Sequence, residues 1–373
     1  MFKVLILYKS LPQYRVAFFD LLREELSKNN ITLELIYGDA DYKGRSDSAT
    51  NDWATFKKNK YLKIGKSQLI WQPCLKEIKS ADIVIVEQAD RLLINYILIS
   101  RRVLRKKKFA FWGHGQNMFK NKNSVANIFK TLYINHCDWW FAYTDGIKSF
   151  LIKNGYSGKK ITTVQNSIDT RKMILDYNSI TEIEIEKMRN ELGILQSDLV
   201  LIYCGALYKE KRLDFLIDSV DSLIRKGLNA KLIILGGGPD EKIIKNAILS
   251  RPYLLFVGPK FGREKAKFFK LSSIFLLPAA IGLAILDSFA FATPIITTEH
   301  KHHGPEIEYL KNGINGIITP NDLNSFTNAI IQLLSNPNKL ALLKENCLKE
   351  TNNYSNEKMV RNFIEGIQKS IMV

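Results

Sequence analysis

Long apolar runs are missing from this chain of 373 residues. None reaches the roughly 18 residues that a membrane-crossing helix needs, so no span is expected. Cysteine is scarce. Cys74, Cys137, Cys204 and Cys347 stand far apart, without metal-ligand or redox spacing, and read as reduced thiols. Histidine is nearly as sparse. His300, His302 and His303 cluster, but no nearby cysteine completes a tetrahedral set, so metal binding is not expected. The dinucleotide fingerprint G-x-G-x-x-G is absent too. The run Leu235-Gly236-Gly237-Gly238-Pro239-Asp240 reads instead as a strand-to-helix turn. There are no internal repeats and no low-complexity tract. The segment Met1 to Tyr8 turns polar too soon for a signal peptide and reads as a first strand, which points to the cytoplasm.

Acidic residues are short in one half only. Residues 1–172 hold 30 Lys and Arg against 15 Asp and Glu, whereas residues 173–373 hold 24 against 22. Of the net charge of +17, the N-terminal half therefore carries +15. Such a half suits an anionic partner: a membrane surface, a nucleic acid or a phosphorylated substrate. Six cations in eight residues, Arg101 to Lys108, follow an apolar helix-like segment and favour the membrane surface. Aromatic interleaving of the stacking kind is lacking, which argues against nucleic acid.

What is present is alternation. Apolar strands alternate with amphipathic helices along the whole chain, which indicates parallel sheets covered on both faces. The expected fold class is α/β, with two Rossmann-like domains facing a cleft. The divisions read as 1–172, a charged linker at 173–195, a second domain at 196–350 and a helix at 351–373 packing at the domain junction. That last helix has Met359, Phe363, Ile367 and Ile371 on one face.

The most informative stretch is Ile274 to Glu308. It reads as a strand, a Pro278-Ala279-Ala280-Ile281-Gly282 loop, a helix from Leu283 to Phe291, a second strand, and a loop ending in Gly304-Pro305-Glu306. A strand feeding a helix through small residues directs backbone N–H groups and a positive dipole end toward a phosphate. Asp287 could then reach ribose hydroxyls. Earlier, Gly205-Ala206-Leu207 leads to Lys211 and Arg212. Two cations at a helix start are unfavourable for its dipole unless a diphosphate sits there.

The ordered set G-x-L-x3-K, GGGPD, F-V-G, P-x3-G-L-x3-D, P-I-I, G-P-E and N-G-I spans Leu199 to Leu334. It resembles the C-terminal domain of family 4 (group 1) retaining glycosyltransferases with the GT-B fold, of the kind that build bacterial cell-surface polysaccharide. The resemblance implies a donor site of Gly205, Lys211, Arg212, Gly258, Pro259, Ala280, Ile281, Gly282, Leu283, Asp287 and Glu306. In it Lys211 neutralises the donor diphosphate and Asp287 holds the ribose. The first acid of the family's E-x7-E signature is replaced by Ala279, which removes a usual contact to the donor sugar. In the N-terminal half the resemblance makes Pro12, Tyr14 and Arg15 an acceptor or phosphate loop. It places His114, within Trp112-Gly113-His114-Gly115, at the cleft against the transferring sugar, catalytic together with Lys211. Val164-Gln165-Asn166-Ser167-Ile168-Asp169 matches a structural closing turn.

The resemblance further implies a nucleotide-sugar donor, chiefly a UDP-sugar, and a lipid-linked oligosaccharide acceptor in O-antigen or capsule synthesis. It implies metal-independent transfer without a cofactor, on the cytoplasmic membrane face, with the basic N-terminal domain on anionic lipid. Two other readings share the fold: a sugar-nucleotide epimerase, and a catalytically dead nucleotide-binding partner in polysaccharide assembly.

Overall fold

The computed structural model describes residues 1–39, 49–65, 67–104, 106–115 and 133–372. It divides into two compact units, Met1–Asp169 with Asn356–Val373, and Thr170–Ser355.

The first unit is built on the strands β1 (Phe2–Tyr8), β2 (Ile31–Tyr37), β3 (Thr55–Phe56), β6 (Ile83–Glu87), β7 (Lys108–Gly113), β8 (Trp139–Ala142) and β9 (Ile161–Thr163). They form one sheet in the order β3-β2-β1-β6-β7-β8-β9, all pairings parallel. A small antiparallel hairpin, β4 (Lys60–Ile64) and β5 (Ser67–Trp71), stands apart. Strand β1 is buried from Val4 to Tyr8, as a central parallel strand covered on both faces must be. One face carries Phe18, Phe19, Trp112 and Phe363; the other carries Phe109, Phe111 and Trp140. The sequence pattern also predicts a helix over 124–136, most of which lies outside the described residues.

The helix Asn356–Met372 belongs to this first unit. Its apolar row reaches the sheet, where Phe363 stacks on Phe141 with centroids 4.7 Å apart. Gly366 permits the approach. A Cβ there would lie 2.5 Å from Phe141 and 2.6 Å from Thr162.

The second unit carries β10 (Leu199–Cys204), β11 (Ala230–Leu235), β12 (Leu254–Gly258), β13 (Ile274–Leu276), β14 (Ile295–Thr298) and β15 (Gly316–Thr319). Their order is β12-β11-β10-β13-β14-β15, again all parallel. The order reverses between β10 and β13, and a ligand of such a sheet binds outside the strand C-termini at that point.

The segment 173–195, read as a charged linker, forms the helices Thr170–Asn178 and Glu182–Glu191 and groups with the second unit. A Thr181–Glu184 capping box starts the latter helix. Arg263 then pairs with Glu184 at 2.7 Å and Lys270 donates to the Ile180 carbonyl at 2.7 Å. Part of the segment's charge is thus used in tertiary pairing.

Candidate functional site

At the strand-order reversal of the second unit, the chain leaves β10 through Gly205 and β13 through Pro278. Tyr203 donates to the Ala206 carbonyl at 2.9 Å and fixes the first exit. The glycine run after β11 serves backbone packing: a Cβ on Gly236 would fall 1.9 Å from the Gly205 carbonyl oxygen. Gly236 in turn donates to the Gly258 carbonyl at 3.1 Å. Gly258 ends β12 with φ +71, a left-handed conformation, and Pro259 follows it beside Gly237.

Lys211 closes a short 3-10 turn, Lys209–Lys211, and is only 6% exposed. Its Nζ donates to the Ala280 carbonyl at 2.6 Å. No carboxylate pairs with it among the described residues. Burial pushes its ammonium down to about 8. Ala280 itself takes φ +53, which a residue bearing a Cβ adopts at a cost of roughly 1 kcal/mol or more. The loop around it is therefore held from several sides. Thr298 Oγ1 donates to the Pro278 carbonyl at 2.8 Å. The Ile281 amide donates to His303 Nδ1 at 3.1 Å, and the Gly304 amide donates to the Ile281 carbonyl at 2.5 Å. Glu306, in the turn Pro305–Tyr309 and 4% exposed, brings its carboxylate over Gly304. A Cβ on Gly304 would lie 2.9 Å from Glu306 Oε2, and one on Gly282 would lie 3.8 Å from it. So the structure gathers Lys211, Ala280, Ile281, Gly282 and Glu306 around one loop, with half-buried Leu283 just beyond.

Two of the donor candidates have protein partners. Arg212 stands in the left-handed region with φ +55, and the helix begins at Leu213. One guanidinium nitrogen donates to both Thr298 (3.3 Å) and Asn321 (2.5 Å), and the group lies 4.0 Å from the Phe215 ring. That gives Arg212 a structural explanation needing no diphosphate. Asp287, expected to hold the ribose, has a protein partner. Lys265, 22 positions earlier, pairs with it at 2.6 Å. Burial opposes the Lys265 charge, but Asp287 more than restores it and raises the ammonium. The helix expected from Leu283 is also shorter, Ile285–Ala290.

The N-terminal candidates separate. Pro12 precedes the helix Gln13–Lys28 and Tyr14 is partly exposed on it. Arg15, read as part of an acceptor or phosphate loop, is buried. Its guanidinium donates to the Ser167 carbonyl at 3.0 Å and to the Asn166 side chain, and it lies 5.2 Å from the Trp112 ring. It anchors the closing turn at 166–167. His114 follows β7, half-buried, with its ring 4.4 Å from that of Tyr143.

Sequence reading missed Lys265 and the role of His303. The Lys265 pairing joins two helices and leaves no local spacing signal. His303 was visible only as one of three clustered histidines. Both its nitrogens are committed to backbone: Nδ1 to Ile281, Nε2 to the Thr298 carbonyl at 2.9 Å. It has no lone pair left for a metal.

Residues 198–336 match the family described as glycosyl transferases group 1. The C-terminal unit is a group 1 glycosyltransferase domain. The alpha-monoglucosyldiacylglycerol synthase of Acholeplasma laidlawii is 23% identical over 239 residues, 62% of this chain and 58% of that protein. The chain thus spans little more than half the length of this relative. The HepE protein of Anabaena, solved with UDP, has a TM-score of 0.70 at 14% identity, covering 98% of this chain and 99% of that one. A glycosyltransferase of Rickettsia africae has a TM-score of 0.72 at 15% identity, covering 99% and 98%. These likenesses give the whole chain the GT-B fold of two parallel-sheet α/β domains. Within the glycosyltransferase domain, the matched segment contains Lys211, the 278–282 loop, Asp287 and Glu306.

Proposed function

We propose that the protein is a retaining glycosyltransferase that moves a sugar from a UDP-sugar to a lipid-linked oligosaccharide at a membrane surface, in synthesis of a cell-surface polysaccharide. The observation carrying this is Lys211. A lysine 6% exposed, with a carbonyl and no carboxylate as partner among the described residues, lies beside a strained loop at the C-terminal ends of β10 and β13. A buried cation is costly unless an anion completes it, and a diphosphate is the anion this family carries. UDP in the HepE structure agrees with that choice. Lys211 would stabilise the departing diphosphate electrostatically, with backbone amides of the 280–282 loop beside it. Because Lys211 supplies the cation, transfer is proposed to need no metal. His114 is proposed to contact the transferring sugar, by the family resemblance.

Lys211→Ala should weaken UDP binding by about 1.5–3 kcal/mol, the scale of a charge-assisted hydrogen bond. Isothermal calorimetry showing unchanged affinity in a folded variant would remove the assignment.

The membrane part rests on the end of the helix Leu93–Val103. Val103 and Leu104 are 66% and 62% exposed beside Arg101 and Lys106. Apolar tips ringed by cations suit an anionic bilayer. Arg102 and Lys107 are excluded from this role, since they hold Asp138 and the Lys79 and Ala81 carbonyls. Arg105 lies outside the described residues.

A further inference from the structure

We propose that His303 is a positioning residue for the donor site, a neutral Nε2-protonated imidazole that sets the 280–282 loop and releases it on protonation. The inference rests on the donor reading above and adds to it a pH limit. The geometry fixes the tautomer. Nδ1 takes a hydrogen bond from the Ile281 amide at 3.1 Å, so it must be bare. Nε2 lies 2.9 Å from the Thr298 carbonyl, which can only accept, so the proton is there. The ring is 7% exposed and joins the exit of β13 to the end of β14. A proton on Nδ1 would face the Ile281 N–H, donor against donor, in a place closed to water. The loop would have to give way at the residue next to Ala280, whose left-handed backbone depends on being held.

The charges around the ring act in the same direction. Burial lowers the imidazole's affinity for a proton, and Lys211 and His302 lower it further, against the Thr298 carbonyl. His300, with its ring 6.3 Å away, belongs to the same loop and is itself pushed down to about 4. Lys301 adds a positive charge in that loop. Glu306, in the next turn, is the acid nearest in sequence. A histidine whose folded-state value is depressed stabilises the fold above its ordinary value near 6.5, and this is lost as pH falls. The lock therefore loosens on the acid side.

UDP-glucose is the probe, because its diphosphate is a diester and does not gain a proton near pH 6 as UDP does. Its dissociation constant is measured by calorimetry from pH 7.5 to 5 in wild type, His303→Ala and His303→Asn. Asn places an oxygen acceptor near the Nδ1 position and does not titrate. Wild type should bind about tenfold more weakly at the acid end, one buried hydrogen bond left unmade. His303→Ala should be weak throughout. His303→Asn should bind near wild type at pH 7.5 and lose the acid limb. An unchanged acid limb in His303→Asn, no acid limb in wild type, or full affinity in His303→Ala would each overturn the proposal. Nitrogen NMR of the wild-type imidazole reads the tautomer without any ligand; a proton on Nδ1 at neutral pH would also overturn it. If wild type binds no UDP-glucose while the tautomer is as stated, the donor reading has failed rather than the lock.

Discussion

Single side chains in the C-terminal unit show how burial assigns roles. Lys211 is buried and Lys265 half-buried, yet one faces a carbonyl and the other a carboxylate. Their ammonium groups move in opposite directions for that reason, Lys211 down and Lys265 up. The Lys265–Asp287 pair is thus matched in charge, whereas Lys211 has only a carbonyl as its hydrogen-bond partner among the described residues. Lys265→Ala would strand the Asp287 carboxylate, which is 6% exposed. It should cost about 3 kcal/mol, read as a lower denaturation midpoint, because a buried charge without its partner is strongly unfavourable. Restored stability in Lys265→Ala combined with Asp287→Asn would confirm the cause. Ala279 belongs to the same account. It is wholly buried, so a glutamate there, at the family's first acid position, would have to bury its carboxylate as well.

Elements were legible where their pattern was strong. The central strands and most helices of both sheets follow from apolar runs and amphipathic periodicity, and the structure returns them with small boundary shifts. What could not be read were pairings between distant segments. The helices at 170–191 look solvated in sequence because Glu184 and Arg263 meet only in the fold. Arg15 looks like a ligand for the same reason, its partners being about 150 residues away. Of the candidate site, the glycines, Lys211 and Glu306 were visible as motif letters; the left-handed Ala280 and the His303 lock were not. The helix Asn356–Met372 shows how much rides on one missing side chain. Gly366→Ala should destabilise by about 1–3 kcal/mol despite alanine's better helix propensity, because its methyl meets buried Phe141 and Thr162. A thermal melt of the variant, compared with an alanine at exposed Glu365, checks this.

As a whole molecule the chain combines a basic first unit with a nearly neutral second region. Charge reversal at Arg101 and Lys106 should weaken sedimentation with anionic vesicles, and added salt should mimic it, since surface charge reaches only about 8 Å at physiological ionic strength. Binding indifferent to both would leave the exposed Val103 and Leu104 as incidental. The two units also differ in continuity. Thr170–Ser355 is one uninterrupted stretch, whereas the first unit needs Asn356–Val373. A fragment of residues 170–355 should melt cooperatively on its own, while residues 1–169 should not, lacking Met359, Phe363 and Ile367 from their core. Circular dichroism of both fragments tests this. The same division has a consequence during synthesis. The ribosome makes the seven-stranded sheet first, but the helix that seals one face of it emerges only after the whole second unit has been translated. Residues 1–169 must wait, with the aromatic surface around Phe18, Trp112 and Phe141 uncovered, while the later unit is already able to fold. Translation that stops before residue 356 should therefore leave a folded C-terminal unit attached to an exposed hydrophobic sheet, a substrate for chaperones and proteases.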